Sequence, residues 1–132
     1  MTVAPLRHSV LALATLGLTA ALTTPAAAAP VPVDVTYGAT YVRGDLTFTN
    51  RSVSFTGTYR SVSPTDCRRA WFGTLDGDGK LLAARSTGTL CNGIRAINTT
   101  VPADVRGGAG SVLVCLDNGS AAPLKCVEYK RP

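Results

Sequence analysis

The feature that most constrains this chain is its set of four cysteines, Cys67, Cys91, Cys115 and Cys126. An even cysteine count in a short chain with an export signal reads as a disulfide framework. Four cysteines can pair in three ways, and hairpin geometry selects among them. Ser111–Asp117 reads as a strand, Asn118-Gly119-Ser120 opens a turn that runs through Pro123, and Leu124–Tyr129 returns. Folding this segment about its midpoint sets Cys115 opposite Cys126, within disulfide reach. The midpoint between Cys67 and Cys91 is residue 79, next to a hairpin tip expected near Asp78 in Asp76-Gly77-Asp78-Gly79, so that one bulge or a slight slip aligns the two. Asp-Gly pairs supply the polar, left-handed positions of a hairpin tip. The expected bridges are therefore Cys67–Cys91 and Cys115–Cys126.

The export signal is the N-terminus. A short basic start with Arg7 precedes an apolar run from Val10 to Leu22 and a small-residue tail ending Ala26-Ala27-Ala28-Ala29-Pro30. The run is shorter than the ~20 residues of a membrane-spanning helix and fits a secretory leader with cleavage near Ala28. The expected organisation is a leader over 1–28 and one domain over 29–132, secreted to the extracellular space, with no membrane span.

Within 29–132 the apolar pattern has a period of two. Val33, Val35 and Tyr37 alternate with polar residues, as do Leu46 and Phe48, then Val53, Phe55 and Tyr59. Further strands are expected at Arg69–Leu75, Leu81–Arg85, Ile94–Thr99, Ser111–Asp117 and Leu124–Tyr129, punctuated by glycine and proline. About seven to nine short strands at this spacing predict an all-β, antiparallel, immunoglobulin-like β-sandwich. Trp71, four residues after Cys67, is expected inside, beside a disulfide. Val112, Val114 and Leu116 are expected to share a core face with Val127 and Tyr129.

Several further segments complete a wider resemblance. A leader precedes serine- and threonine-rich strands, a Cys-x-x-x-Trp-Phe run, Leu90-Cys91-Asn92-Gly93 and a terminal Val-Cys…Cys-Val-Glu-Tyr hairpin. The pattern resembles small secreted two-disulfide β-proteins of actinobacteria. The arginine-rich basic set points to a GC-rich bacterial source as well. The resemblance implies export and the disulfide framework, and it carries no activity.

Chemistry is narrowed by what the residues lack. The one histidine, His8, lies in the leader, so the domain has no base for a Ser-His-Asp or Cys-His unit. Asp76-Gly77-Asp78-Gly79 looks like the start of a calcium loop. Lys80, Leu81 and Thr87 stand where such a loop needs an oxygen ligand, a glycine and a glutamate. No enzyme, metal site or cofactor is expected. The formal net charge of +5 comes without a dense basic run, so no nucleic-acid partner is expected.

Binding remains. Arg68, Arg69 and Arg95, close to Cys67 and Cys91, are candidates to enter a trypsin-like protease in the manner of an inhibitor, because a stapled loop loses little entropy on docking. A cell-wall or polysaccharide-binding module is the alternative, with Tyr37 and Tyr41 as exposed rings. A basic effector acting on anionic envelopes is a third class. The partner is thus expected to be an extracellular protein or a cell-surface polymer.

Overall fold

The computed structural model describes residues 29–120 and 122–132, together with 17, 20 and 21. The leader expected over 1–28 falls almost wholly outside these residues. Among the described residues eight strands follow one another: β1 (Val31–Tyr37), β2 (Thr40–Phe48), β3 (Ser52–Val62), β4 (Arg69–Leu75), β5 (Leu81–Ser86), β6 (Asn92–Pro102), β7 (Ser111–Asp117) and β8 (Pro123–Lys130). They form two antiparallel four-stranded sheets, ordered β1-β2-β3-β6 and β5-β4-β7-β8. The chain crosses between sheets after β3, β5 and β6. β3 thereby lies beside β6 in one sheet and β4 beside β7 in the other, an immunoglobulin-like arrangement.

The core follows from the alternation. Val33, Val35, Val42, Leu46, Phe48, Val53, Phe55 and Tyr59 of the first sheet meet Ala70, Phe72, Val112, Val114 and Leu116 of the second, all buried. Each large side chain so buried contributes about 1.5–3 kcal/mol. Val127 and Tyr129 pack against this cluster from β8, as the shared face of the last hairpin requires. Phe55 and Phe72 meet across the sheets with ring centroids 4.7 Å apart, a distance favourable for tilted aromatic pairs. The two sheets also share a polar contact. The buried Thr74 hydroxyl donates to the Pro102 carbonyl of β6 at 2.7 Å, so neither group is left unsatisfied.

Both expected disulfides form. Cys115 and Cys126 are direct partners across β7 and β8. Cys67 and Cys91 lie just outside the β4–β5 hairpin, beyond a backbone bridge between Arg68 and Leu90. Their bond ties the β3–β4 crossover to the β5–β6 crossover. The hairpin tip at Asp76–Lys80 is held by its own carboxylate: Asp76 Oδ1 accepts the backbone N–H of Asp78 at 2.9 Å and of Lys80 at 2.8 Å.

One core expectation is corrected. Trp71 is not inside. Ala70, Phe72 and Thr74 point into the sandwich, so Arg69, Trp71 and Gly73 take the outer face of the second sheet, since side chains alternate along a strand. The expected Trp71 position rested on its offset from Cys67. Cys67 precedes β4, and an offset fixes a face only within one continuous strand. Phe72 occupies the core place instead.

Candidate functional site

The outer face of the second sheet carries a groove of about 360 Å³, at the small end of the roughly 300–1,000 Å³ of ligand pockets. Register builds it. Trp71 pairs with Cys115, and Cys115 with Cys126. Gly73 pairs with Leu113, and Arg69 with Asp117. These side chains therefore share one face, and Ser120 of the β7–β8 connection and Pro123, the first residue of β8, close one end.

Gly73 is what makes the floor. An ideal Cβ there would lie 2.3 Å from Trp71 Cη2 and 2.6 Å from Cζ3. The indole thus occupies the space above Gly73, and the half-buried ring becomes groove wall instead of core. Leu81 Cδ1 reaches the same space from β5. The disulfide Cys115–Cys126 supplies the adjacent wall, with Cys115 buried and Cys126 exposed.

The polar end of the groove is an ion pair. Arg69 donates from Nε and Nη2 to the two carboxylate oxygens of Asp117, each at 3.0 Å. This bidentate geometry is the strong form of the contact. Asp117 is only 5% exposed, and its Oδ1 also accepts the Gly119 N–H at 2.8 Å. The hydrogen bond to Asp117 raises the Arg69 pKa above its ordinary value, so the guanidinium stays charged. Positive and negative charge at this end cancel.

The residues singled out from the sequence are dispersed. Arg69 belongs to the groove, locked to Asp117. Arg68 lies beside the first disulfide, where its Nη1 donates to the Cys67 carbonyl at 3.3 Å and its Nε is buried without a partner. Arg95 is exposed on β6 of the first sheet, the cross-strand partner of Tyr59 on β3 and away from the groove. The three do not gather on one projecting loop. Tyr37 is 45% exposed at the end of β1. Tyr41 lies on the opposite side of the first sheet by strand alternation, with the Arg43 guanidinium over its ring at 4.1 Å. The two tyrosines form no common platform. Among the described residues no group of three or more His, Cys, Asp or Glu side chains could hold a metal ion, and no helix is long and apolar enough to cross a membrane.

Trp71 is the residue that the sequence reading placed elsewhere. A signal for its true position was present: Arg69, Trp71 and Gly73 share a parity, with a charge at one end and a glycine at the other. Compared with known proteins, the chain matches no family model, no curated protein and no solved structure.

Proposed function

We propose that this protein is a secreted, disulfide-stabilised binding module that holds a neutral, pyranose-containing polymer of the cell envelope or its surroundings in the Trp71 groove. The observation that carries the reading is the indole seated over Gly73. A ring so placed offers an apolar, rigid surface on which the C–H face of a sugar can stack, with an N–H as a polar handle. The Arg69–Asp117 pair at its end provides hydrogen-bonding groups for hydroxyls while contributing no net charge. Few, fixed polar groups beside an apolar wall are the usual composition of a ligand site. The disulfide in the adjacent wall limits the ordering entropy that binding must overcome. Of the two leading expectations from sequence, the geometry favours the polymer binder over the inhibitor, because Arg69 is held by Asp117 and is not presented at a loop apex.

Trp71 is the chain's one tryptophan, so intrinsic fluorescence reads the groove without a label. Titration with soluble chito-, cello- and peptidoglycan-derived oligosaccharides should give a saturable change in emission for one class. Retention on the matching insoluble polymer should be lost in Trp71→Ala while the fold persists. An emission spectrum unmoved by every sugar in the panel, with no retention on any polymer, would overturn the reading.

A further inference from the structure

Sheet edges carry unpaired backbone donors and acceptors, and proteins cover or blunt them. Three of the four edges here are so treated. The outer edge of β1 is covered from β8: Asp34 N–H donates to the Tyr129 hydroxyl, that hydroxyl donates to the Asp34 carbonyl, and Lys125 Nζ donates to the Thr36 carbonyl. β8 itself carries Pro123, Lys125 and Lys130. β5 is short, six residues, and its pairing with β4 is interrupted by a register shift.

β6 is different. It has eleven residues, pairs only with β3, and has no proline before its last position. Asn92 to Ala96 are exposed on both faces, where the other strands of the same sheet alternate. Ile94 is the most exposed large apolar side chain among the described residues, at 61%. A cleft of about 290 Å³ runs beside the strand, lined by Arg95, Asn98 and Thr99 on one side and Thr87 and Gly88 on the other.

Charge selects the occupant. β3 and β6 together contain Arg60 and Arg95 and no carboxylate, and the facing edge strand β5 adds Arg85 with no acid of its own. All three arginines are exposed. A second copy of the chain would bring like charge to like charge. We propose that the free edge of β6 is a docking site for an extended, acidic peptide segment of a partner protein, which adds there as the fifth strand of the first sheet. Main-chain hydrogen bonds would give the affinity, as in other strand additions, and Arg95, on the edge strand itself, would select carboxylates over ammonium groups.

The test uses a short, capped peptide of alternating valine and glutamate, and its valine–lysine counterpart, added to the isotope-labelled chain. The acidic peptide should shift amide resonances and slow hydrogen exchange within residues 92–101, and leave Trp71 unmoved. The lysine peptide should do neither. Arg95→Glu, a change at an exposed side chain that the fold tolerates, should weaken the acidic peptide by up to about fivefold, the scale of one surface charge pair, and bring in the lysine peptide. Ile94→Lys should weaken the acidic peptide less than Arg95→Glu does. Three outcomes would overturn the proposal: no protection of β6 by either peptide, equal binding of both, or β6 already protected by self-association in the chain alone.

Discussion

The indole of Trp71 stands over Gly73, in the space that any side chain at residue 73 would claim. The contact would be 2.3 Å from an added Cβ to Cη2, far inside van der Waals range, and Gly73 is not among the positive-φ glycines. The backbone would accept alanine; the ring would not. Gly73→Ala should therefore tilt Trp71 away from the sheet, with an overpacking cost of about 1–3 kcal/mol. Denaturant melts measure the cost, and a red-shifted emission measures the displacement. Under the sugar-binding reading, the variant should also lose retention on polymer while still folded.

The Arg69–Asp117 pair yields a second expectation. The Asp117 side chain is 7% exposed and that of Arg69 26%, so removing the arginine strands a nearly buried carboxylate. Breaking a buried pair costs about 3–5 kcal/mol, and the partial exposure of Arg69 lowers this toward about 2–3 kcal/mol. Arg69→Ala should lose that much by urea melting. The double variant Arg69→Ala with Asp117→Ala should lose less than the sum of the two single changes, because the orphaned charge has gone with its partner.

What the sequence disclosed, and what it withheld, follows from range. The strands Arg69–Leu75 and Ser111–Asp117 were legible because period-two alternation is local, and both disulfides because each spans a hairpin whose tip is marked by Asp-Gly or Asn-Gly. The face of Trp71 was misread, since alternation was carried from Cys67 across a break in the strand. The partner of Arg69 could not be read at all. Asp117 lies 48 residues away, and only the β4–β7 pairing brings it near. The free edge of β6 was equally hidden, because a strand's place at an edge is a property of sheet order and not of its own residues.

The two disulfides should differ in what they stabilise and in what Trp71 reports. Cys67–Cys91 spans 24 residues and Cys115–Cys126 spans 11. Loop-closure entropy then gives about 3.5 and about 2.8 kcal/mol respectively. Replacing the first pair by alanine should lower stability more, and should also loosen both crossovers between the sheets. Replacing the second should brighten Trp71 fluorescence, because a disulfide against an excited indole quenches it and Cys115 is the register partner of Trp71. Thermal melts and emission spectra of the two double variants separate these effects.

Asp34 sets an expectation for acid. Thr36 donates its hydroxyl to Asp34 Oδ1 at 2.5 Å, and Arg43 Nε lies 3.3 Å from the same oxygen. The Thr36 hydrogen bond, then Arg43, holds this carboxyl below its ordinary value. A carboxyl whose folded pKa is depressed stabilises the fold above its unfolded pKa, about 3.9, and that contribution disappears as pH falls through the lower folded value. The denaturation midpoint should thus fall as the solution is acidified below about pH 4. Asp34→Asn should flatten that part of the profile and leave the profile above it parallel to the parent. The effect is small, since the carboxylate is solvated and screened. Its location is informative nonetheless. The backbone of Asp34 is bonded to Tyr129 of β8, so acid that releases the Asp34 side chain loosens the cover over the β1 edge. A drop in amide protection at residues 33–37 in acid, taken relative to the intrinsic exchange rate at each pH and absent in Asp34→Asn, would show that coupling directly, and equal protection along β1 in both proteins at every pH would refute it.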